Sequence, residues 1–317
     1  MGETGLVEAR TSRISALLAE RLQPFARGTT PTVAVPMANN PEVLGCIRVA
    51  VESGLARFVL IGPRDEVIRL AQDHEVDLGS ATLVHETDPV SACARAASMA
   101  ARGEAQVLMK GLVQTADFVR SILNRALGLA PAGGLLSHVA LCDVDGFVRL
   151  FLITDAAITT YPNTTQKRAI VLNALACATA LGMETPRIAM VAPVEKVSDK
   201  VMSTREAAEV VAGFAGDPRF EIDGPFGLDV AISADAAVIK GISGQVAGAA
   251  DILVMPNIDA ANVLYKALTG FAHARTAGIV AGAAVPVVLT SRSDSEESKL
   301  NSLRFALAAA TGTYATA

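Results

Sequence analysis

Residues 32–62, TVAVPMANNPEVLGCIRVAVESGLARFVLIG, read as strand, helix and strand. TVAVP at 32–36 is a first apolar strand. Asn39 or Asn40 caps a helix over 41–53, and Gly54 stops it. FVLI at 58–61 is a second strand, ending at Gly62-Pro63. Strands alternating with helices at this pitch make βαβ units and a parallel sheet.

The same alternation extends outward. A short amphipathic helix covers 14–22 and ends near Pro24; helices follow at 65–72 and 88–102, with strands at 81–85 and 105–109. The pattern changes where strands 137–141 and 149–153 flank Asp145-Gly146, a hairpin signal and so an antiparallel pair inside an α/β chain. Helix 166–181, strand 187–191, helix 204–211, strands 221–222 and 251–255, helix 260–272 and strands 278–280 and 286–289 complete the run. The last strand turns directly into a helix over 285–307, VPVVLTSRSDSEESKLNSLRFAL. Ser293 and Glu296 fit a capping box there, and Leu300, Leu303 and Leu307 recur at helical spacing. With 317 residues the chain forms two domains or one large α/β unit. We place a first domain over 1–151 plus 293–317 and a second over 152–292, with a cleft between them.

Half the residues are hydrophobic (51%) and only 4% are aromatic, which suits thin layers of small and β-branched side chains under helices. A net charge of −5, no Trp and no run of Lys or Arg argue against nucleic acid as a partner. Cys46, Cys93, Cys142 and Cys177 lie far apart with no histidine at ligand spacing, so buried small hydrophobes are expected rather than a metal site or a disulfide framework. The N-terminus has no apolar core of a secretory signal, and no stretch reaches the ~18 apolar residues of a membrane span. A cytoplasmic enzyme without a membrane partner is the expectation.

In open α/β sheets ligands gather at the carboxyl ends of strands. Lys110, Gly111, Thr115 and Arg120 follow the strand at 105–109; Thr154 and Asp155 follow 149–153; Asp223, Gly224 and Asp229 follow 221–222; Asn257 and Asn262 follow 251–255; Thr290, Ser291 and Arg292 follow 286–289. At the last of these, helix N–H groups without intrahelical partners and the helix dipole sit beside an arginine, a pocket for phosphate or a developing oxyanion. Each position has a second reading. Lys110-Gly111 reads equally as an ordinary strand–helix turn, Arg120 as a residue on the exposed face of its helix, Asp155 as a cap, Asp223-Gly224-Pro225 as a turn, and Arg292 as a solvent-facing side chain. Gly241 to Gly248 is either a phosphate-facing loop or a plain flexible one. His74, His85, His138 and His273 make no constellation with a serine or cysteine, and no nucleophile elbow, dinucleotide fingerprint or P-loop occurs.

Taken together, the segments 109–123 (MKGLVQTADFVRSIL), 152–158 (LITDAAI), 221–233 (EIDGPFGLDVAIS), 246–262 (VAGAADILVMPNIDAAN) and 284–292 resemble the phosphate acetyltransferase and phosphate butyryltransferase family. The similarity runs from about Pro31 to the C-terminus, and Asp223-Gly224-Pro225 with Asp229 and Leu289 to Arg292 look more like the butyryl branch. The resemblance implies the two-domain, three-layer αβα fold of the isocitrate and isopropylmalate dehydrogenase group, with largely parallel sheets and some antiparallel strands. It implies transfer of a short-chain acyl group, acetyl to butyryl, between coenzyme A and phosphate, by a homodimer or higher homo-oligomer. Coenzyme A enters only as substrate or product, with no permanently bound cofactor and no metal. Ser291 and Arg292 are then the catalytic pair, and Lys110, Gly111, Thr115, Arg120, Thr154, Asp155, Asp223, Gly224, Asn257 and Asn262 the substrate-binding set. Ser298 stands where acetyl-branch members carry an acidic base, and Asn257 departs from the relatives' acidic residue. The rival readings are a metal- and NAD-dependent dehydrogenase of the same fold group, which would need Asp223, Asp229 and Asp251 to gather, and a non-catalytic CoA-binding relative.

Overall fold

Helix α1 (Arg13–Leu22) precedes the stretch read first, which folds as strand β1 (Thr32–Pro36), helix α2 (Pro41–Glu52) and strand β2 (Arg57–Gly62), the two strands parallel. Asn40 is the cap: its side chain accepts the Val43 N–H at 3.0 Å. Gly54 ends the helix at φ 63°, a left-handed backbone that costs a residue without Cβ little. The computed structural model describes residues 12–22, 30–131, 134–290 and 294–311. The chain continues through α3 (Arg64–Asp73), β3 (Thr82–His85), α4 (Pro89–Ala101), β4 (Val107–Met109), α5 (Thr115–Ile122), β5 (Ser137–Asp143) and β6 (Phe151–Thr154). Then come α6 (Thr164–Ala180), β7 (Arg187–Val191), α7 (Met202–Ala212), β8 (Glu221–Phe226), α8 (Leu228–Ile232), α9 (Ala234–Ile239) and β9 (Ile252–Val254). α10 (Ile258–Gly270), β10 (Arg275–Ala281), β11 (Val287–Val288) and α11 (Glu296–Thr311) follow.

The eleven strands among the described residues form one sheet, in the order β3-β2-β1-β4-β11-β10-β5-β6-β9-β7-β8. Pairing is parallel except for β10 with β11, β10 with β5, and β5 with β6. The three reversals lie together in the middle, so the outer halves run in opposite directions. Register then decides where their ends fall. Met109 pairs with Val288, Val287 with Val280, Ile279 with Val139, Val139 with Thr154, and Thr154 with Val254. The last residues of β4, β11, β6 and β9 therefore occupy one row across the sheet, and carboxyl ends from both halves meet there.

Helix cover differs on the two faces. One face carries a continuous core from α1, α2 and α3 through α11 to α6 and α7, with Val139, Leu141, Ala277 and Ile279 beneath it. The other carries two separate clusters, one around α4 and α5 (Cys93, Phe118, Ile122) and one around α8 to α10 (Val230, Ala237, Ala261). A cleft opens between these two clusters, lined from α5 on one side and α10 on the other. Of the expected domain boundaries, 151/152 falls inside β6 and 292/293 lies outside the described residues; β11, inside the 152–292 stretch, pairs with β4. α11 packs on α1 and α2 as well as β10.

One local reading needs correction, and another falls partly outside the described residues. Asp223-Gly224-Pro225 lies inside β8, which continues to Phe226 instead of turning after Ile222. A Cβ on Gly224 would lie 2.6 Å from the Met190 carbonyl oxygen, so the glycine serves close strand–strand approach. The helix expected to be capped by Ser293 begins at Glu296; Ser293 is outside the described residues, and Ser295 Oγ accepts the Ser298 N–H at 3.1 Å.

Candidate active site

At the row of carboxyl ends the cleft encloses a cavity of about 390 Å³, lined by Lys110, Val113, Gln114, Thr115, His138, Ala156, Ala157, Asn262, Tyr265, Lys266, Leu289, Thr290 and Asp294. Lys110 extends β4, Leu289 and Thr290 extend β11, and Ala156-Ala157 follow β6. Thr115 opens α5 on one wall; Asn262, Tyr265 and Lys266 come from α10 on the other. The floor is β5: Ala140 and Cys142 face the α8–α10 cluster, and His138 shares their side of the strand. Two lysines against one aspartate give the lining a cationic bias, which suits phosphoryl groups.

The loop after β6 is held by Asp155. Its Oδ1 accepts the N–H groups of Ala157 and Ile158 at 3.0 Å each, and its Oδ2 that of Thr159 at 2.9 Å. That fixes Ala156 and Ala157 as cavity wall. Asn262 Nδ2 reaches the same loop, donating to the Ala156 carbonyl at 3.1 Å. Tyr265 bonds Thr276 Oγ1 at 3.1 Å, and burial pushes its hydroxyl pKa up to about 12. Lys110 and Gly111 also line a smaller recess with Asn40, Glu42 and Lys299, where Lys299 Nζ donates to Glu42 Oε2 at 2.5 Å.

Gly111 lets β4 run into this site. A Cβ there would lie 2.3 Å from the Met37 carbonyl oxygen and 2.4 Å from that of Pro36, both backbone atoms. Gly111→Ala must move one strand end against the other, so we expect a stability loss of about 1–3 kcal/mol in chemical denaturation. Lys110 moves with the backbone and the cavity wall changes with it; unchanged stability would refute the tight approach.

Residues 89–309 match the family described as Phosphate acetyl/butaryl transferase. The chain belongs to this family. It is 44% identical over 280 residues to the phosphate butyryltransferase of Clostridium beijerinckii, across 87% of this chain and 92% of that one. A branched-chain phosphotransacylase from Enterococcus faecalis V583 has a TM-score of 0.79 at 36% identity, over 89% of this chain and 99% of the other. The 4-hydroxythreonine-4-phosphate dehydrogenase of Klebsiella pneumoniae shares the fold alone, with TM-score 0.57 and 14% identity over 89% of this chain and 100% of that one. The dehydrogenase-like α/β architecture expected from the sequence is thus present in this phosphate acetyl/butyryl transferase family member.

Against that identification the expected site residues divide. Lys110, Thr115 and Asn262 line the cavity, and Gly111 the recess beside it. Ser291 and Arg292 lie outside the described residues, although Thr290 and Asp294, on either side of the undescribed 291–293, both line the cavity. Arg120 does not line it: the side chain is 73% exposed and paired with Asp117 at 2.6 Å. Thr115 and Arg120 are five residues apart, about 140° around the helix, so only one of them can face inward. Thr154 is fully buried. Asn257 caps α10 by accepting the Ala260 N–H at 3.0 Å. Asp223 and Gly224 sit on β8, at the sheet's edge, with Asp223 Oδ1 accepting the Gly224 N–H. The glycine-rich 241–248 loop packs beside them and does not line the cavity; a Cβ on Gly244 would lie 3.4 Å from Asp223 Oδ2.

Among the described residues no three of His, Cys, Asp and Glu come together to hold a metal ion. The aspartates the dehydrogenase reading needed are engaged separately: Asp229 with Lys240, Asp251 with Arg187, and Asp223 with its neighbouring backbone. All four cysteines are buried free thiols. Desolvation pushes Cys46, Cys142 and Cys177 up to about 12 and Cys93 to about 11, which leaves no thiolate nucleophile near neutral pH. His138, Tyr265 and Lys266 are cavity residues that sequence reasoning did not select. The available signal was a lone histidine in an otherwise apolar strand.

Proposed function

We propose that this cavity transfers a short-chain acyl group, acetyl to butyryl, between coenzyme A and inorganic phosphate. The observation that carries the reading is the convergence of four strand ends on a lysine-bearing cavity in a chain of this family. A phosphate oxygen attacks the thioester carbonyl carbon, an oxyanion forms, the carbon–sulfur bond breaks, and the CoA thiolate leaves with the electron pair. Lys110, Thr115 and Asn262 hold the anionic reactant. Arg292, near the start of α11 in sequence, stabilises the oxyanion, and Ser291 donates to the carbonyl oxygen or the sulfur. Holding both reactants in one cleft supplies a further ~7 kcal/mol or more of the barrier reduction. The reading includes a cytoplasmic homodimer or higher homo-oligomer, with coenzyme A as substrate or product and no permanently held cofactor. No helix among the described residues is long and apolar enough to cross a membrane.

The test is thiol release from acetyl-, propionyl- and butyryl-CoA with and without phosphate. Release should require phosphate and should rank the acyl lengths. Phosphate-independent release, or none with any acyl-CoA, overturns the reading.

A further inference from the structure

The cavity floor contains a group that the substrate-holding residues leave unexplained. His138 is 7% exposed, and its Nδ1 is buried without a hydrogen-bond partner among the described residues. The ring lies edge-on to Tyr265, centroids 6.1 Å apart at 83°. On the next strand Gly278 makes room for it: a Cβ there would lie 2.7 Å from His138 Nε2 and 3.3 Å from Cε1. A buried ring nitrogen left without a hydrogen bond destabilises a fold unless something else uses it. Here the ring is aimed into a cavity by strand register and accommodated by an absent side chain.

We infer that His138 is the proton-transfer residue of the cavity, with Nε2 exchanging a proton with the coenzyme A sulfur; this rests on the acyl-transfer reading above. The proton is carried on Nδ1, which leaves the Nε2 lone pair as the acceptor. When acyl phosphate is consumed, Nε2 takes the thiol proton as sulfur bonds to the carbonyl carbon; phosphate leaves with the electron pair of the broken C–O bond and takes the proton from the imidazolium, so that it departs as hydrogen phosphate. In the opposite direction hydrogen phosphate gives its proton to Nε2 as its oxygen bonds to the carbonyl carbon, the C–S bond breaks, and the imidazolium passes that proton to the departing thiolate.

The other groups around the cavity fit this role less well. Tyr265, on α10, is held protonated by burial. The Asp155 carboxylate, after β6, already accepts three backbone N–H groups. Lys110, after β4, and Lys266, on α10, bring positive charge, and Asp294, before α11, is the rival carboxylate. Burial holds the His138 pKa below its usual 6.5, with Asp155 and Asp294 opposing that shift and Lys266 adding to it. A base with a depressed pKa is neutral and ready through the neutral range, and its activity falls off only on the acid side.

Four forms are compared in thiol-dependent consumption of acyl phosphate: the native chain, His138→Asn, His138→Ala and Asp294→Asn. We expect both His138 variants to lose about 100-fold in kcat with the KM for coenzyme A within about threefold. The acid limb of the native pH profile should vanish, and added imidazole should restore His138→Ala at least about tenfold, since the deletion leaves space for it. The reverse direction should lose the same factor in kcat/KM, because the overall equilibrium belongs to the substrates. Unchanged kinetics in folded His138→Asn, a loss confined to KM, or a loss seen only in Asp294→Asn overturns the assignment. An inactive native chain would instead bring down the acyl-transfer reading itself.

Discussion

Arg292→Ala should lose at least about two orders of magnitude in kcat/KM for acyl transfer while the fold survives. Two negative groups must meet in this reaction, and an oxyanion forms between them. One preorganised donor aimed at such a charge contributes about 10²–10³ in rate. A guanidinium contributes a planar fork of donors, and in sequence this one sits beside a helix start whose N–H groups carry partial positive charge. Thr290 and Asp294, which flank 291–293, line the cavity. Arg292→Lys should recover only part of the loss, because an ammonium keeps the charge and gives up the fork. The measurements are steady-state kinetics in both directions and a melting temperature, expected within about 2 °C of the native chain. Native kinetics in Arg292→Ala would remove this residue from the site.

The second large effect is on stability. Asp155 is 4% exposed, and its carboxylate satisfies three backbone N–H groups. Asp155→Ala removes that acceptor from three N–H groups on exposed or half-buried residues, and each hydrogen bond to a charged group contributes about 1.5–3 kcal/mol. A loss of about 4 kcal/mol is therefore expected from denaturant titration. Asp155→Asn should cost roughly half as much: its carbonyl oxygen can still take the two bonds now made to Oδ1, while its amide faces the Thr159 N–H donor. Activity should fall in the same order, since the loop carries Ala156 and Ala157 on the cavity wall. Equal stability of the two variants would show that the three bonds do not act as described.

These two residues mark how far the site could be read from sequence. Asp155 is expected among the substrate-binding residues, with capping as the other reading; its carboxylate accepts N–H groups two, three and four residues on, and these hold a loop, since the next helix starts only at Thr164. Asn257 went the same way, its side chain occupied by the Ala260 N–H. Short polar side chains after strands serve helix starts and ligands alike, and sequence cannot say which until backbone geometry assigns their bonds. Arg120 shows a different limit. Its distance from Thr115 places the two on different faces of α5, and which face meets the cavity depends on how the helix docks.

The order of strands and helices was legible because periodicity, caps and stops are local. Asn40, Gly54 and the Asp145-Gly146 hairpin each act within a few residues of themselves, and five ordered motifs sufficed to place the chain in its family. What only the tertiary structure decided is which ends meet. Met109, Val288, Thr154 and Val254 come from four distant parts of the chain, and pairings through β10 and β5 bring them to one row. His138 gains a chemical setting only there, because its face of β5, the gap between two helix layers and the missing side chain of Gly278 are all products of register. Register is fixed by burial summed over the whole sheet, and no local stretch of sequence contains that sum.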